Sequence, residues 1–255
     1  MPNYYQNTNV LHLPGYEIYF TRFADSIIND HFNEATKELT DILSEFRIHE
    51  RQIIQGGGGL SKITQQLAHL LDLKDWSKRK IESEHRVAGK VLTSESHEVD
   101  HYKVFERGNI GLEIEWNNKD PFYDRDLENF RKLHQIGELS VGIIITRGAS
   151  LQTELYHVFE RFILSLEPFD LDNLLSKMNL SDNAKRICRP FFSLSKEYAV
   201  RKITSEIYNS KYGAATTHMN KLQLRLNRGV GNPCPFILIG IGSERLINDE
   251  TIQAG

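Results

Sequence analysis

Residues 96–103 read SHEVDHYK and contain His97, Glu98 and His101 in the spacing HExxH. In zinc peptidases this spacing requires a helix, because two histidines four residues apart reach one metal ion only when they stack on one helical face. The residues that follow, YKVFERGN, combine β-forming residues with a turn and have no helical apolar stripe. The pattern therefore favours a strand, with a zinc peptidase as the alternative. In a regular strand both histidines would share the face opposite Asp100.

A second group of acidic residues follows the predicted turn. The sequence GLEIEW places Glu113 and Glu115 two residues apart, so both side chains project from the same face of a strand. A two-residue turn at 107–108 or at 108–109 would put Asp100 on that face as well. Three carboxylates on one face repel each other unless a cation lies among them, and oxygen ligands favour Mg²⁺ or a similar hard ion over zinc. The alternative is an ordinary amphipathic strand whose glutamates face water.

The elements that must position these residues alternate between helices and strands. Apolar periodicity predicts helices at 23–46, 60–76, 124–136, 151–208 with breaks at two prolines, and about 215–228. It predicts strands at 48–54, 97–105, 109–116, 139–148 and 235–242. Strands mixed with long helices indicate an α/β fold around one sheet. We expect a single domain over 1–255, with an N-terminal helical part of about 1–50 and a core at about 97–242 that contains the acidic strands.

The overall composition is that of an ordinary globular protein. The 255 residues are 40% hydrophobic and 25% charged, with a formal net charge of -3. This charge argues against a nonspecific nucleic-acid coat but leaves room for a DNA enzyme whose metal-binding carboxylates add negative charge. The N-terminus lacks a basic start followed by an apolar run, and no stretch approaches eighteen apolar residues. These features predict no membrane contact. The presence of only two cysteines predicts a cytoplasmic protein with reduced thiols.

The segment EVDHYKVFERGNIGLEIEWNNKDPF resembles the BglII/BamHI branch of type II restriction endonucleases. The apolar runs LSVGIIITRG and PFILIGIG are similar to further core strands of that branch. The resemblance is specific over about 97–148 and fainter for GGGGLSKITQ and for 213–242. It implies the nuclease core of the PD-(D/E)xK superfamily, a mixed central sheet flanked by helices. It also implies a homodimer that cuts palindromic double-stranded DNA, with a cognate DNA methyltransferase in the same system.

By position, the resemblance also implies roles for individual residues. Asp100 and Glu113 look like the metal-bridging acids, and the Ile114 carbonyl looks like a further ligand. Glu115 occupies the place where most of the superfamily has lysine. This departs from the wider pattern but agrees with the BamHI-like variant, so an active site is still expected while the identity of the general base stays open.

Hydrolysis of a phosphodiester requires an activated water and neutralisation of charge on the transition state, which Mg²⁺ ions held by clustered carboxylates provide. Glu115 would orient or deprotonate the water, and the products would carry 5′-phosphates. A carboxylate from a preceding helix often completes such a site. The segment KIESEHR offers Glu84 or Glu82 for that purpose.

Three residues directly after the predicted catalytic strand are suited to DNA contact. Asn117 and Asn118 can pair bidentately with adenine, and Lys119 can reach guanine or phosphate. Asn118 falls where the family has a base-contacting asparagine, although NNKDP would also suit a simple polar turn. Arg125 on the next helix is a further candidate, with a solvated surface charge as the alternative.

Two other segments could reach DNA. The run Gly56–Gly59 lacks the GKS or GKT ending of a nucleotide-binding loop. It would serve either as a plain flexible loop or as a mobile arm that brings Ser61 and Lys62 to a phosphate. Near the other end, Thr217 and His218 at a helix start could contact bases or phosphates. A catalytically silent DNA-binding module of the same fold is the alternative that is not an enzyme.

Overall fold

The computed structural model describes residues 2–55 and 61–248, so the Gly56–Gly59 segment lies outside the described residues. The strands are β1 (Tyr16–Phe20), β2 (Ile48–His49), β3 (Ser77–Val87), β4 (Lys90–Phe105), β5 (Gly108–Glu115), β6 (Val141–Arg147), β7 (Phe236–Ile241) and β8 (Leu246–Ile247). The helices are α1 (Ala24–His31), α2 (Asn33–Glu45), α3 (Glu50–Ile54), α4 (Lys62–Asp72), α5 (Phe122–Gln135), α6 (Ala149–Leu164), α7 (Leu171–Lys177), α8 (Asp182–Cys188), α9 (Lys196–Tyr212) and α10 (Met219–Asn227). Short 3₁₀ helices cover Arg189–Ser193 and Ser243–Arg245. None of the described helices is long and apolar enough to cross a membrane.

A six-stranded mixed sheet in the order β1-β7-β6-β5-β4-β3 forms the centre of the fold. Strands β5, β6 and β7 are parallel, whereas β1 and β4 pair antiparallel to the two sides of this group. Strand β3 pairs antiparallel with β4 at the edge, and β2 and β8 form a separate two-stranded sheet. The mixed sheet with flanking helices confirms the predicted fold class.

Helices cover both faces of the sheet, which explains the unbroken apolar runs of its central strands. In β6, Ile143 and Ile145 join the core formed with α1, α2, α4, α6 and α9, whereas Ile144 joins the core formed with α5 and α10. Burying each such isoleucine contributes about 2 kcal/mol. These contacts hold β5 in a fixed position between β4 and β6.

Two predicted elements near the N-terminus differ from the structure. The expected helix at 23–46 is divided into α1 and α2 at Phe32, which has non-helical angles and packs edge to face against Phe105. Only Ile48 and His49 of the expected strand at 48–54 are extended, and 50–54 form α3. The His49 backbone N–H donates to the Gln52 side chain at 2.8 Å, which stabilises the start of that helix.

The segment KIESEHR lies in a strand and not in a helix. It belongs to β3, which forms a long hairpin with β4 through a tight turn at Ala88 and Gly89, both with positive φ. Strand β4 therefore begins at Lys90, seven residues before the predicted start at His97. The sequence concealed this hairpin because most side chains of its outer half are polar and exposed, so neither face shows an apolar alternation.

Candidate active site

Strands β4 and β5 form the hairpin that positions the acidic residues. Phe105 pairs with Gly108, so the turn consists of residues 106–107 and both predicted turn positions were wrong by one or two residues. Gly108 has a φ of 146°, and a Cβ there would lie 2.2 Å from the Ser140 hydroxyl, which explains why glycine ends the turn. Each β4 residue pairs with a β5 residue that lies an even number of positions from its predicted partner. The β5 side chains therefore project to the same faces as predicted.

Residues 97–101 are a strand, which contradicts the helix that a zinc peptidase needs. The two histidines also do not share a face, because β4 has an extra residue between Val99 and Tyr102 relative to its partner strand β3. The His97 ring lies 3.1 Å from the Asn129 side chain of α5, whereas His101 lines a cavity on the other side beside Asp72. Both histidines are buried, and the prediction that they share one face was wrong because the strand is not regular there.

Four carboxylates converge at the end of β5. Glu113 and Glu115 project from β5 and are 6% and 2% exposed, and Asp126 of α5 is 2% exposed. Asp100 is exposed, and its backbone N–H donates to a Glu113 carboxylate oxygen at 3.2 Å. The structure therefore brings Asp100, Glu113 and Glu115 together, as the hairpin predicted, and adds a fourth acid.

Asp126 was missed by the sequence reasoning. It lies on the buried face of α5 with Tyr123, Leu127 and Phe130, where the helical spacing calls for an apolar residue. An acid in the apolar stripe of the helix after the catalytic strand is the signal that could have identified it. One Asp126 oxygen accepts from Arg125 at 2.8 Å, and the other is buried without a hydrogen-bond partner in the described part of the chain.

This cluster has an excess of negative charge. Burial raises the pKa of Glu113 well above its ordinary value, and the charges of Asp100 and Asp126 raise it further. The pKa of Glu115 is also raised by burial and by Asp126. Lys78 lies 3.3 Å from Asp100 but is exposed, so it screens the buried pair little. A hard cation would satisfy the surplus charge and the unpartnered oxygen at once.

A cavity of about 420 Å³, hereafter the carboxylate cavity, opens beside these acids. Its lining includes Asp100, Ile114 and Glu115, and also Asp72 from the C-terminal end of α4. The lining also includes His101, but the acidic donors Asp72, Asp100 and Glu115 are oxygen ligands, which fit Mg²⁺ better than zinc. Within residues 2–55 and 61–248, no three histidine, cysteine or acidic side chains are already arranged as a metal centre.

Glu84 is not part of this group. It lies opposite Ser94 on the outer half of the β3–β4 hairpin, six residues along β4 from Asp100, which corresponds to roughly 20 Å. Its side chain is exposed and pairs with Arg86 at 2.6 Å. Glu82 lies on the same exposed hairpin and pairs with Lys80 at 2.5 Å. The prediction of a ligand from KIESEHR therefore has no support in the geometry, because that segment is a strand that leads away from the site.

Two of the segments predicted to contact DNA pair with each other. Asn117, Asn118 and Lys119 are exposed directly after β5. The Asn118 carbonyl accepts from the Thr217 N–H at 2.8 Å, and Lys119 forms a β-bridge with Thr216. The Asn118 side chain in turn donates to Glu115 at 3.0 Å, which ties this surface to the acidic cluster.

The residues before α10 are less accessible than the sequence suggested. The Thr217 side chain is fully buried, so the structure contradicts its role as a direct DNA contact. Backbone hydrogen bonds fix Thr217 in this buried position. Its N–H donates to the Asn118 carbonyl, and its carbonyl accepts from Arg147. His218 is half-buried, and burial together with the nearby charges of Arg147 and Lys221 lowers its pKa to about 4.

The other predicted contacts divide between two surfaces. Ser61 caps α4, with its hydroxyl accepting from the Thr64 N–H at 3.0 Å, and lines the carboxylate cavity. Arg125 lines the same cavity and stacks over the Phe122 ring at 4.7 Å. Lys62 is exposed but lines a separate cavity with Arg51 and other residues, away from the acids. The structure therefore places Ser61 and Arg125 beside the candidate active site, but not Lys62.

The comparison with known families agrees with this arrangement. The sequence model of a family described as restriction endonuclease BglII/BglIII matches residues 16–241. The chain belongs to this family. The match runs from the start of β1 to the end of β7 and includes all four carboxylates. No curated protein matches the chain.

Membership in the BglII/BglIII family confirms the resemblance and extends it to most of the chain. It identifies the protein as a restriction endonuclease, which is a nuclease that acts on double-stranded DNA. In this protein, the buried acids at the end of β5 lie next to the exposed polar residues 117–119. The zinc-peptidase alternative is overturned, both by the family and by the strand conformation of 97–101.

Arg147 connects the end of β6 with the 213–218 segment. It ends β6, is 0% exposed, and donates to the Thr216 hydroxyl at 2.7 Å and to the Thr217 carbonyl at 3.2 Å. Its guanidinium lies over the rings of Trp116 and Tyr212 at 5.9 and 4.9 Å. Burial lowers its pKa to about 10, so it stays charged at neutral pH.

The substitution Arg147→Ala should lower the free energy of unfolding by about 3 kcal/mol, because it removes hydrogen bonds from a charged group and leaves a cavity. Urea denaturation measures this change. The matched control Arg228→Ala removes an exposed arginine and should stay within about 0.5 kcal/mol of the unsubstituted protein. Equal effects of the two substitutions would contradict the role of Arg147.

The substitution Glu113→Gln should stabilise the metal-free protein at pH 8 by about 1 kcal/mol. The folded-state pKa of Glu113 is raised, so its ionisation opposes folding above the unfolded pKa of about 4.3, and increasingly so as pH rises. The gain should therefore be small at pH 5 and larger at pH 8, as measured by urea denaturation in EDTA. Glu98→Gln, on the exposed part of the same hairpin, should give no such gain. A destabilised Glu113→Gln protein at pH 8 would refute the explanation.

Proposed function

We propose that this protein is a Mg²⁺-dependent type II restriction endonuclease that cleaves a specific palindromic site in double-stranded DNA and leaves 5′-phosphates. The observation that carries the proposal is the buried carboxylate cluster at the end of β5, with an open cavity and exposed amide side chains beside it. A palindromic site has two-fold symmetry, so we propose a homodimer in which each protomer cuts one strand. The enzyme would act in the cytoplasm beside a methyltransferase that protects the host sites.

Mg²⁺ would be held by the carboxylates of Asp100 and Glu113 and by the Ile114 carbonyl. Bound there, it would lower the pKa of a water molecule and neutralise charge on the phosphoryl oxygens. Asp72 lines the same cavity and comes from a preceding helix, so it takes the supporting role that the sequence assigned to Glu84. Asp126 is a further supporting group, because one of its oxygens is buried without a hydrogen-bond partner among the described residues and its charge acts on Glu113.

Glu115 is the group that we assign to the water. Burial and Asp126 raise the pKa of Glu115 to about 9 in the metal-free protein, and a bound cation would lower it, so that the carboxylate is ionised and can accept a proton from the water. The Asn118 amide donates to one Glu115 oxygen and fixes the orientation of the carboxylate. Because Asn118 also lies at the exposed end of β5, it would couple the position of the DNA to the position of Glu115.

The DNA would lie across the surface formed by Asn117, Asn118 and Lys119, with Arg125 and Ser61 at the edges of the carboxylate cavity. The asparagines can read base edges, and the basic side chains can contact phosphates. We assign Thr217 a structural role in this surface, because its side chain is buried while its backbone supports Asn118. His218, which is neutral near pH 7, would contribute at most a hydrogen bond.

Incubation of plasmid DNA with the protein and Mg²⁺ should give discrete bands, and EDTA should prevent them. The fragment ends should carry 5′-phosphates that DNA ligase can rejoin, and sequencing the ends should give one palindromic site. The substitution Glu113→Ala should lower the cleavage rate by roughly a thousandfold, equivalent to about 4 kcal/mol, while DNA binding persists. The control Glu98→Ala should cut normally. Intact plasmid with unsubstituted protein that still binds DNA would support the catalytically silent module and contradict an enzyme.

The substitution Asp126→Asn should lower the cleavage rate by about 10-fold to 100-fold, because groups that support metal ligands have effects of this size. Single-turnover cleavage of a short duplex with the identified site measures the rate. Asp124→Asn provides the control on the same helix, since Asp124 is half-exposed and pairs with Arg225 away from the acids. Equal rates for the two variants would remove Asp126 from the site.

A further inference from the structure

A second cavity, hereafter the α9 cavity, adjoins the carboxylate cavity. It has a volume of about 440 Å³ and shares Ser61 and Asn117 with the first one. Its far wall is formed by residues 179–184 and by the end of α9 with the residues that follow it, at 207–216. These helices belong to the long helical region between β6 and α10, to which the sequence assigned no function.

The side chains around the α9 cavity differ in charge from those around the carboxylate cavity. Its lining includes the amides of Asn117, Asn179 and Asn209 and the amino group of Lys119, together with Lys211, whose amino group donates to the Ile54 carbonyl at 3.3 Å. Among the described residues that line it, none is an aspartate or a glutamate. A wall of amides and amines suits a ligand that carries negative charge together with hydrogen-bonding edges, as a nucleic acid does.

The two outer asparagines are exposed but stand on fixed backbone. Asn179 lies between Met178 and Leu180, which are both buried. Asn209 is in the last turn of α9, and a Cβ on Gly213 would lie 2.4 Å from the Asn209 carbonyl. Only glycine therefore allows the chain to turn this closely under Asn209.

The turn under Asn209 is also connected to the candidate active site. The Gly213 carbonyl accepts from the Thr216 hydroxyl at 2.8 Å, and that hydroxyl accepts from Arg147 at 2.7 Å. Thr216 in turn bridges to Lys119. The end of α9 and the segment after β5 thus form one supported surface, which is a requirement for reading bases with fixed geometry.

We propose that the α9 cavity receives the part of the DNA duplex next to the cut and that Asn179 and Asn209 read base edges there. The inference rests on the proposed function. With a scissile phosphate at the carboxylate cavity, the neighbouring base pairs would extend over the adjoining surface, and the α9 cavity adjoins it because Ser61 and Asn117 line both cavities. An asparagine amide can donate to and accept from an adenine edge at the same time.

The test uses a library of duplexes with randomised positions around the identified site. Cleaved molecules are sequenced for the unsubstituted protein and for Asn179→Ala and Asn209→Ala. Each substitution should weaken the preference for a particular base pair by about tenfold or more, at the same position in both half-sites. The control Asn29→Ala removes an exposed amide on α1, the helix whose His31 contacts the β4–β5 turn at the opposite end of the sheet, and should leave the preferences unchanged.

Unchanged preferences in both variants would overturn the proposal, as would a uniform loss of rate with the same preferences, since that result indicates phosphate contact alone. A variant that cuts too slowly is tested by sequencing the DNA that it binds in a Glu113→Gln background, where the same two results apply. Failure of the unsubstituted protein to cut any duplex in the library is a different result, because it contradicts the proposed function itself.

Discussion

The packing around β5 acts against the mutual repulsion of three buried carboxylates. Glu113, Glu115 and Asp126 are nearly inaccessible to solvent, although ionised carboxylates are strongly destabilised in such surroundings. The apolar cores on both faces of the sheet and the pairing of β5 with β4 and β6 keep the acids in place despite this repulsion. Local conflicts of this kind are typical of functional sites, where a sequence gives up stability for a ligand that restores it. A hard cation is the ligand that the donor chemistry favours.

A second constraint links the acids to the proposed DNA-contacting surface. The segment after β5 pairs with the segment before α10, and Arg147 holds the latter from inside the protein. Asn118 belongs to both parts, since its backbone joins this pairing and its side chain orients Glu115. A shift of this surface on a mismatched sequence would therefore also disturb Glu115. Such a connection gives a physical basis for coupling sequence recognition to cleavage.

The sequence predicts some elements and site residues but not others, depending on whether their pattern is local. The hairpin with Asp100, Glu113 and Glu115 was predictable, because strand alternation carries its information locally. The mixed sheet and the family followed from the resemblance of residues 97–148 to a known branch of nucleases. Two features were not predictable from the sequence, because they arise from pairing between strands. They are the β4 bulge that separates His97 from His101 and the long polar hairpin that carries Glu84 away from the acids. Burial of Thr217 likewise depends on tertiary contacts. Asp126 was within reach, as an acid in an apolar helical stripe.

We propose that the end of β5 holds the metal ion at which DNA is hydrolysed. Crystals of the protein with its cognate duplex and Mn²⁺, which replaces Mg²⁺ and has a strong anomalous signal, would test it most directly. We predict an anomalous peak between the carboxylates of Asp100 and Glu113 and next to the Ile114 carbonyl, with a DNA phosphate beside it. A duplex bound with its metal ion elsewhere, or with no phosphate near these acids, would contradict the claim.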